Sequence, residues 1–160
     1  NGAFGYARAQ IDGSFYQPVA SRVVVAARVR LGTIVGASRD RIAPSRRFYA
    51  GGGGSVRGFP YQAVGPRLAD GRPKGGVFLL ESSLEVRREL TARWSFATFV
   101  DAGSVGSSGA ADVGDLAVGA GVGIRYNLGL VPIRVDLATP VVRKRGEPPI
   151  QVYVSIGQSF

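Results

Sequence analysis

The residues of this chain that could do chemistry are carboxylates, arginines and hydroxyls. Its 160 residues include no Cys, His or Met. That removes disulfide frameworks and thiolate metal sites, and with histidine go most zinc ligation and general-base chemistry. The serines therefore have no imidazole to activate them. Glu81, Glu85 and Asp101 could in principle exchange protons, but no second recognisable site accompanies them, so no enzyme, cofactor or metal is expected. Two glycine-rich runs look like phosphate cradles and fail on context. GAGVGI at 119–124 lacks the spacing and the strand–loop–helix setting of a dinucleotide site, and GGGGS at 51–55 is not followed by Gly-Lys-Ser/Thr. What remains is Arg57, a buried-looking charge beside an aromatic in RFYAGGGGSVRGF, residues 47–59. The four glycines at 51–54 lose too much backbone entropy on ordering to hold a shape alone. Something must enclose them.

The enclosure has to come from strands, because alternation of polar and apolar residues recurs along the chain. Val152, Val154, Ile156 and Phe160 share one face, with Gln151, Tyr153, Ser155, Gly157 and Ser159 on the other. Ile133, Val135 and Leu137 alternate with Arg134, Asp136 and Ala138. Leu116, Val118, Ala120, Val122, Ile124 and Tyr126 alternate with Ala117, Gly119, Gly121, Gly123, Arg125 and Asn127. Trp94, Phe96 and Val100 oppose Arg93, Ser95, Asp101 and Gly103, and Leu80, Leu84 and Val86 oppose Glu81, Ser83, Glu85 and Arg87. Val25, Ala27, Val29 and Leu31 oppose Ala26, Arg28, Arg30 and Gly32. A first strand near residues 4–16 carries Arg8, Gln10, Asp12 and Ser14 on one side. That makes about seven strands, each near or beyond the ~9–11 residues that cross a bilayer at a tilt.

Length bounds this to one domain or part of one. The net charge is +9 with 24 glycines, and no apolar run approaches the ~18–20 residues of a membrane helix. A basic, glycine-rich chain of alternating strands is either a nucleic-acid binder or an outer-membrane barrel, and the faces decide between them. One face is a continuous apolar band with Trp94, Tyr126 and Phe160 near strand ends; the other is crowded with Arg, Glu and Asp. A soluble sandwich turns its apolar face inward. A transmembrane barrel inverts this, with lipid outside, a wet polar lumen inside and aromatics at the interfaces. The predicted class is an all-β antiparallel transmembrane barrel in the bacterial outer membrane, with no nucleic-acid partner. An ordinary soluble antiparallel sheet is the bland alternative. Connections alternate in length as a barrel requires: short at 17–21, 89–92 and 127–132, long at 37–75, 104–115 and 142–149. The 37–75 loop is too long for a passive connector and is expected to be functional or lodged somewhere. The cluster Arg143, Lys144, Arg145 would sit at the outer rim facing anionic lipopolysaccharide, and a solvated charged loop fits equally well. Absent Met, and Asn1 already inside a patterned stretch, suggest an excised piece of a longer chain.

These motifs together resemble a known family. RFYAGGGGSVRGF followed by FPYQAVGP is similar to the sixth-loop motif of the BamA/TamA superfamily of outer-membrane assembly proteins. LLESSLEVR, FATFVDAGSV, GAGVGIRYNLGLVPIRVDLATPV and the terminal VYVSIGQSF follow in the family's order, so the likeness covers nearly the whole chain. The wording is most similar to the translocation and assembly module, or TamA-like, branch. The resemblance implies the C-terminal portion of a barrel of about sixteen strands. The family's periplasmic POTRA domains and first strands would lie outside this chain.

The function that the resemblance implies is insertion and folding of other β-barrel proteins, such as autotransporters, without nucleotide or catalysis. The implied partners are outer-membrane lipid and lipopolysaccharide, β-barrel clients, and an inner-membrane-anchored partner of the same module. Carried over position by position, Arg57 matches the arginine of the loop's V-R-G-F/Y motif, and its acidic partners match Glu85 in SLEVR and Asp101 in FVDAG. The physical argument agrees: a guanidinium inside a lumen needs a partner, and both carboxylates have inward parity on adjacent strands. Gly119, Gly121 and Gly123 would leave room for the loop, Gly58 would allow a tight turn, and Phe59 would be a stacking anchor. The last strand, with Tyr153, Gly157 and terminal Phe160, resembles the signal strand that assembly machinery reads on its clients. Its plainer role is an aromatic anchor at the interface. Two other functions stay open: a two-partner secretion transporter of the same superfamily, and a passive outer-membrane pore. The piece alone is expected not to close natively, because its first and last strands would leave unpaired edges in lipid.

Overall fold

The computed structural model describes residues 5–108, 116–129, 131–143 and 147–157. The expected alternation becomes one seven-stranded antiparallel sheet in simple chain order. Its strands are β1 (Ala7–Ala20), β2 (Val23–Val35), β3 (Phe78–Glu89), β4 (Trp94–Gly106), β5 (Ala117–Asn127), β6 (Pro132–Pro140) and β7 (Gln151–Ile156). Each pairs with the next, and the sheet is open, with β1 and β7 as its edges. The only helical pieces among the described residues are two single 3-10 turns, Arg39–Arg41 and Pro44–Arg46. Phe160, Lys144 and Arg145, named above, lie outside the described residues.

Strand boundaries shift from the expected ones for local reasons. The first strand runs to Ala20 rather than stopping near 16, because Pro18 is accommodated at the sheet edge by an irregularity between Pro18 and Ala20. The turn is then only Ser21–Arg22, with Arg22 in the left-handed region at φ 65°. At the opposite end β4 continues to Gly106, because Val77 N–H donates to the Gly106 carbonyl at 2.9 Å and holds the two strands together there. Short turns thus lie at one end of the sheet and long connections at the other.

The two faces are inverted relative to a soluble protein. Leu84, Val100, Val122, Leu137 and Val154 are exposed, from 42% for Val122 to 71% for Val154, whereas Glu85, Asp101 and Asp136 are at most 1% exposed. Trp94 and Tyr126 pack with ring centroids 4.6 Å apart at the short-turn end of the exposed face. The charged face is covered by the segment joining β2 to β3, which folds back across it. That face is graded, which alternation alone does not reveal. Toward the long-loop end its inward positions are apolar, and Ile34, Leu79 and Val105 form a cluster with Ile42, Phe48, Ala50, Val56, Phe59 and Val64 of the connection. The connection therefore carries its own apolar core. It is held further by bridges Phe48↔Gly76, Ala50↔Val64 and Arg67↔Pro73.

Candidate functional site

Register brings the charges together. Across the middle of the sheet three successive rungs face the connection. One runs Arg28, Ser83, Asp101, Gly119; the next Ala26, Glu85, Phe99, Gly121, Ala138; the third Arg87, Ala97, Gly123, Asp136, Tyr153. In all three, β5 contributes glycine. The centre of the face is therefore a trough with no side chain on its floor, flanked by carboxylates on β3, β4 and β6.

Arg57 enters that trough at its Gly119 end. Its Nε donates to Asp101 Oδ2 at 2.7 Å and its Nη2 to Asp101 Oδ1 at 2.9 Å, a two-pronged pair. Nη1 donates to Glu85 Oε2 at 2.8 Å and to Asp136 Oδ2 at 3.3 Å. Nη2 also donates to Ser83 Oγ at 3.3 Å, and Ser83 Oγ donates to Asp101 at 2.6 Å. The backbone N–H of Arg57 reaches Asp101 Oδ2 at 3.0 Å. The guanidinium carbon lies 3.3 Å from the centroid of the Phe99 ring, so the flat cation is sandwiched by an aromatic face as well as ringed by oxygens. Burial alone would push the Arg57 guanidinium down, but the hydrogen bond and charge of Asp101, then of Glu85, outweigh it and hold it above arginine's ordinary range. Arg57 stays a cation.

The carboxylates are shared with a second tier of arginines. Arg87 Nε donates to Glu85 at 2.7 Å, Arg125 reaches Glu85 at 3.2 Å and also pairs with Asp136, and Arg134 reaches Asp136 at 3.0 Å. Higher up, Arg28 donates to the carbonyls of Gly54 at 3.2 Å and Ser55 at 3.4 Å. Ser55 Oγ bonds Glu81, which Arg30 also holds at 2.9 Å. The loop tip is thus tied to strands β2, β3, β4 and β6.

A profile of the Omp85 superfamily domain matches residues 1–160. The chain belongs to the Omp85 superfamily. A crystal structure of BamA from Haemophilus ducreyi lacking POTRA domains 1–3 superposes with a TM-score of 0.73 at 21% identity, covering 94% of this chain and 35% of that one. The shared feature is the fold, and this Omp85 chain spans about a third of the BamA chain it matches.

Set against the expectations, the structure brings Arg57, Glu85 and Asp101 of the Omp85 chain together directly. It gives the neighbouring residues different parts. Phe59 does not stack on the arginine; Phe99 does, and Phe59 packs in the apolar cluster. Asp136 is a third carboxylate that alternation placed on the right face without revealing its rung. Gly58 is in the left-handed region at φ 101°, and a Cβ there would sit 2.9 Å from the Thr139 backbone. Of the three β5 glycines only Gly119 makes room for the loop, since a Cβ on it would collide with the Arg57 carbonyl. Gly121 accommodates the Phe99 ring, and Gly123 the Arg125–Asp136 pair. Tyr153 faces inward, while Gly157 terminates β7 at φ 112°.

The four-glycine run divides in the same way. Gly51 and Gly52 need left-handed backbone, at φ 108° and 104°, Gly53 abuts the Tyr153 ring, and a Cβ on Gly54 would meet nothing within 4 Å. Gly51→Ala should therefore loosen the loop by about 1–3 kcal/mol of backbone strain. Gly54→Ala should be neutral within about 0.5 kcal/mol. Protease sensitivity of the 48–62 segment, compared between the two variants, reads the difference.

Proposed function

We propose that this chain is part of a factor that assembles β-barrel proteins in the bacterial outer membrane, of the translocation and assembly module (TamA-like) type. The observation that carries the reading is Arg57, held by three carboxylates on the face opposite an exposed apolar band. A band that excludes water on one side and a charged, loop-filled face on the other suits a barrel wall in lipid. A passive pore has no use for a loop tied across its wall by a buried cation. The TamA-like assignment rests on the wording of SVRGF, SLEVR and FVDAG. Clients are unfolded β-barrel chains such as autotransporters, and the partner is an inner-membrane-anchored subunit of the module. Insertion uses pairing and lipid energetics, so neither nucleotide nor catalysis enters.

The test is insertion of a β-barrel client by the full-length protein. Arg57→Ala should slow client insertion several-fold while Arg39→Ala leaves it unchanged, because the partners of Arg39, Asp40 at 3.3 Å and the Ser107 hydroxyl at 2.5 Å, are exposed contacts away from the buried charges. Steady single-channel conductance independent of Arg57 would favour the pore instead. Export of a soluble exoprotein through the lumen would favour the two-partner secretion transporter.

A further inference from the structure

Tyr153 connects the last described strand to the loop tip in a way that neither strand pairing nor the charge network requires. On β7 it lies on the same rung as Asp136, and its ring reaches across to the Arg57 segment. Its hydroxyl accepts from the Gly58 N–H at 3.0 Å and donates to the Phe59 carbonyl at 2.7 Å. A phenol is the side chain that can accept and donate from one oxygen at the end of a rigid arm. It closes on the two residues that follow the arginine, where the left-handed Gly58 directs its N–H to one side. From the other side Gly53 packs on the ring, and a Cβ there would lie 3.0 Å from Cδ1 and 3.3 Å from the Tyr153 Cβ. The loop tip is clasped between hydroxyl and ring.

We propose that Tyr153 is a positioning residue that makes the loop tip and β7 one mechanical unit, so that where β7 sits sets whether the Arg57 pocket is closed. The carboxylates of Arg57 come from β3, β4 and β6. Without Tyr153 the loop would be indifferent to β7, which pairs only with β6 among the described residues. With it, moving β7 away from β6 draws Gly58 and Phe59 with it and strains the adjacent Arg57–Asp101 pair. The partner surface is thus the backbone of residues 58–59, read by the strand next to the one that carries Asp136. This inference rests on the loop-latch reading above and adds the strand to which the latch reports.

The experiment uses the full-length protein with Val56→Cys as its single thiol, any cysteine outside these 160 residues being replaced by Ser; this chain has none of its own and Val56 is fully buried. Tyr153→Phe keeps the ring and removes the hydroxyl. It should raise maleimide labelling at position 56 roughly fivefold, the equivalent of one net hydrogen bond. It should add little on top of Arg57→Ala, because both variants release the same element. In a second background without the position 56 thiol, Gly53→Cys with Tyr153→Cys should form a disulfide. The 3.3 Å approach of the Gly53 Cβ position to the Tyr153 Cβ is close to disulfide geometry. Oxidation should then protect the 48–62 segment from protease, and reduction should expose it. Absence of the crosslink, or loop protection unchanged by either Tyr153→Phe or reduction, overturns the clasp. If the loop responds as expected while client insertion does not change, the clasp stands and the assembly reading fails.

Discussion

Arg57→Ala should release the loop and cost about 3–5 kcal/mol, because removing one member of a buried ion pair leaves the other charged and uncompensated. The loss falls on one residue. Glu85 keeps Arg87 and Arg125, and Asp136 keeps Arg125 and Arg134. Asp101, fully buried, would retain the hydroxyl of Ser83 as a side-chain donor. Asp101→Asn made together with Arg57→Ala should therefore recover much of the loss, since a neutral amide in that place leaves no stranded charge. Arg57→Lys should recover only part, because an ammonium cannot grip both Asp101 oxygens while also reaching Glu85 and lying flat on Phe99. The readout is the labelling rate of a cysteine at Val56. At about 1.4 kcal/mol per tenfold, Arg57→Ala should raise it by at least a hundredfold. A labelling rate equal in Arg57→Ala and wild type would mean that the apolar cluster alone holds the loop.

The second large effect separates membrane from solvent. Leu84 and Val100 pair across β3 and β4 in the middle of the exposed face, 52% and 49% accessible. Val100→Arg should destabilise the protein by about 2–4 kcal/mol in a bilayer, the cost of a cation on the lipid face near the midplane. On the solvent face of a soluble sheet the same change costs within about 0.5 kcal/mol. Denaturant unfolding in phospholipid vesicles, compared between Val100→Arg and Val100→Leu, gives the difference. Equal stability of the two variants would sink the membrane reading of this face. Trp94 and Tyr126, at the end of the same face, should tolerate polar substitution better, because the penalty falls toward the interfaces.

Alternation along the chain was enough to decide which face each residue takes. Glu85, Asp101, Asp136 and Arg125 have inward parity in the bare sequence, and Leu84, Val100 and Val154 have outward parity. A period of two admits no other assignment within an unbroken strand. The short turns at 17–21, 89–92 and 127–132 also make β1–β2, β3–β4 and β5–β6 antiparallel neighbours, whereas the order across the long connections came from the assembled sheet. The motif around Arg57 likewise made an enclosed cation legible. What parity leaves open is how far each strand slides against the next, and that sets the rungs. Only the assembled sheet put three glycines of β5 level with carboxylates on β3, β4 and β6. That is why Asp136 joins the pocket and why Gly121 and Gly123 serve Phe99 and Arg125 rather than the loop. The connection from β2 to β3 has no repeat of its own. Its path was decided by the apolar cluster under it and the buried charges beneath its tip, contacts between residues up to 79 positions apart. Choosing Phe99 over Phe59 as the partner of the guanidinium, and bringing Tyr153 to Gly58, required that path, because an aromatic adjacent in sequence need not be adjacent in space once a left-handed glycine has turned the backbone between them.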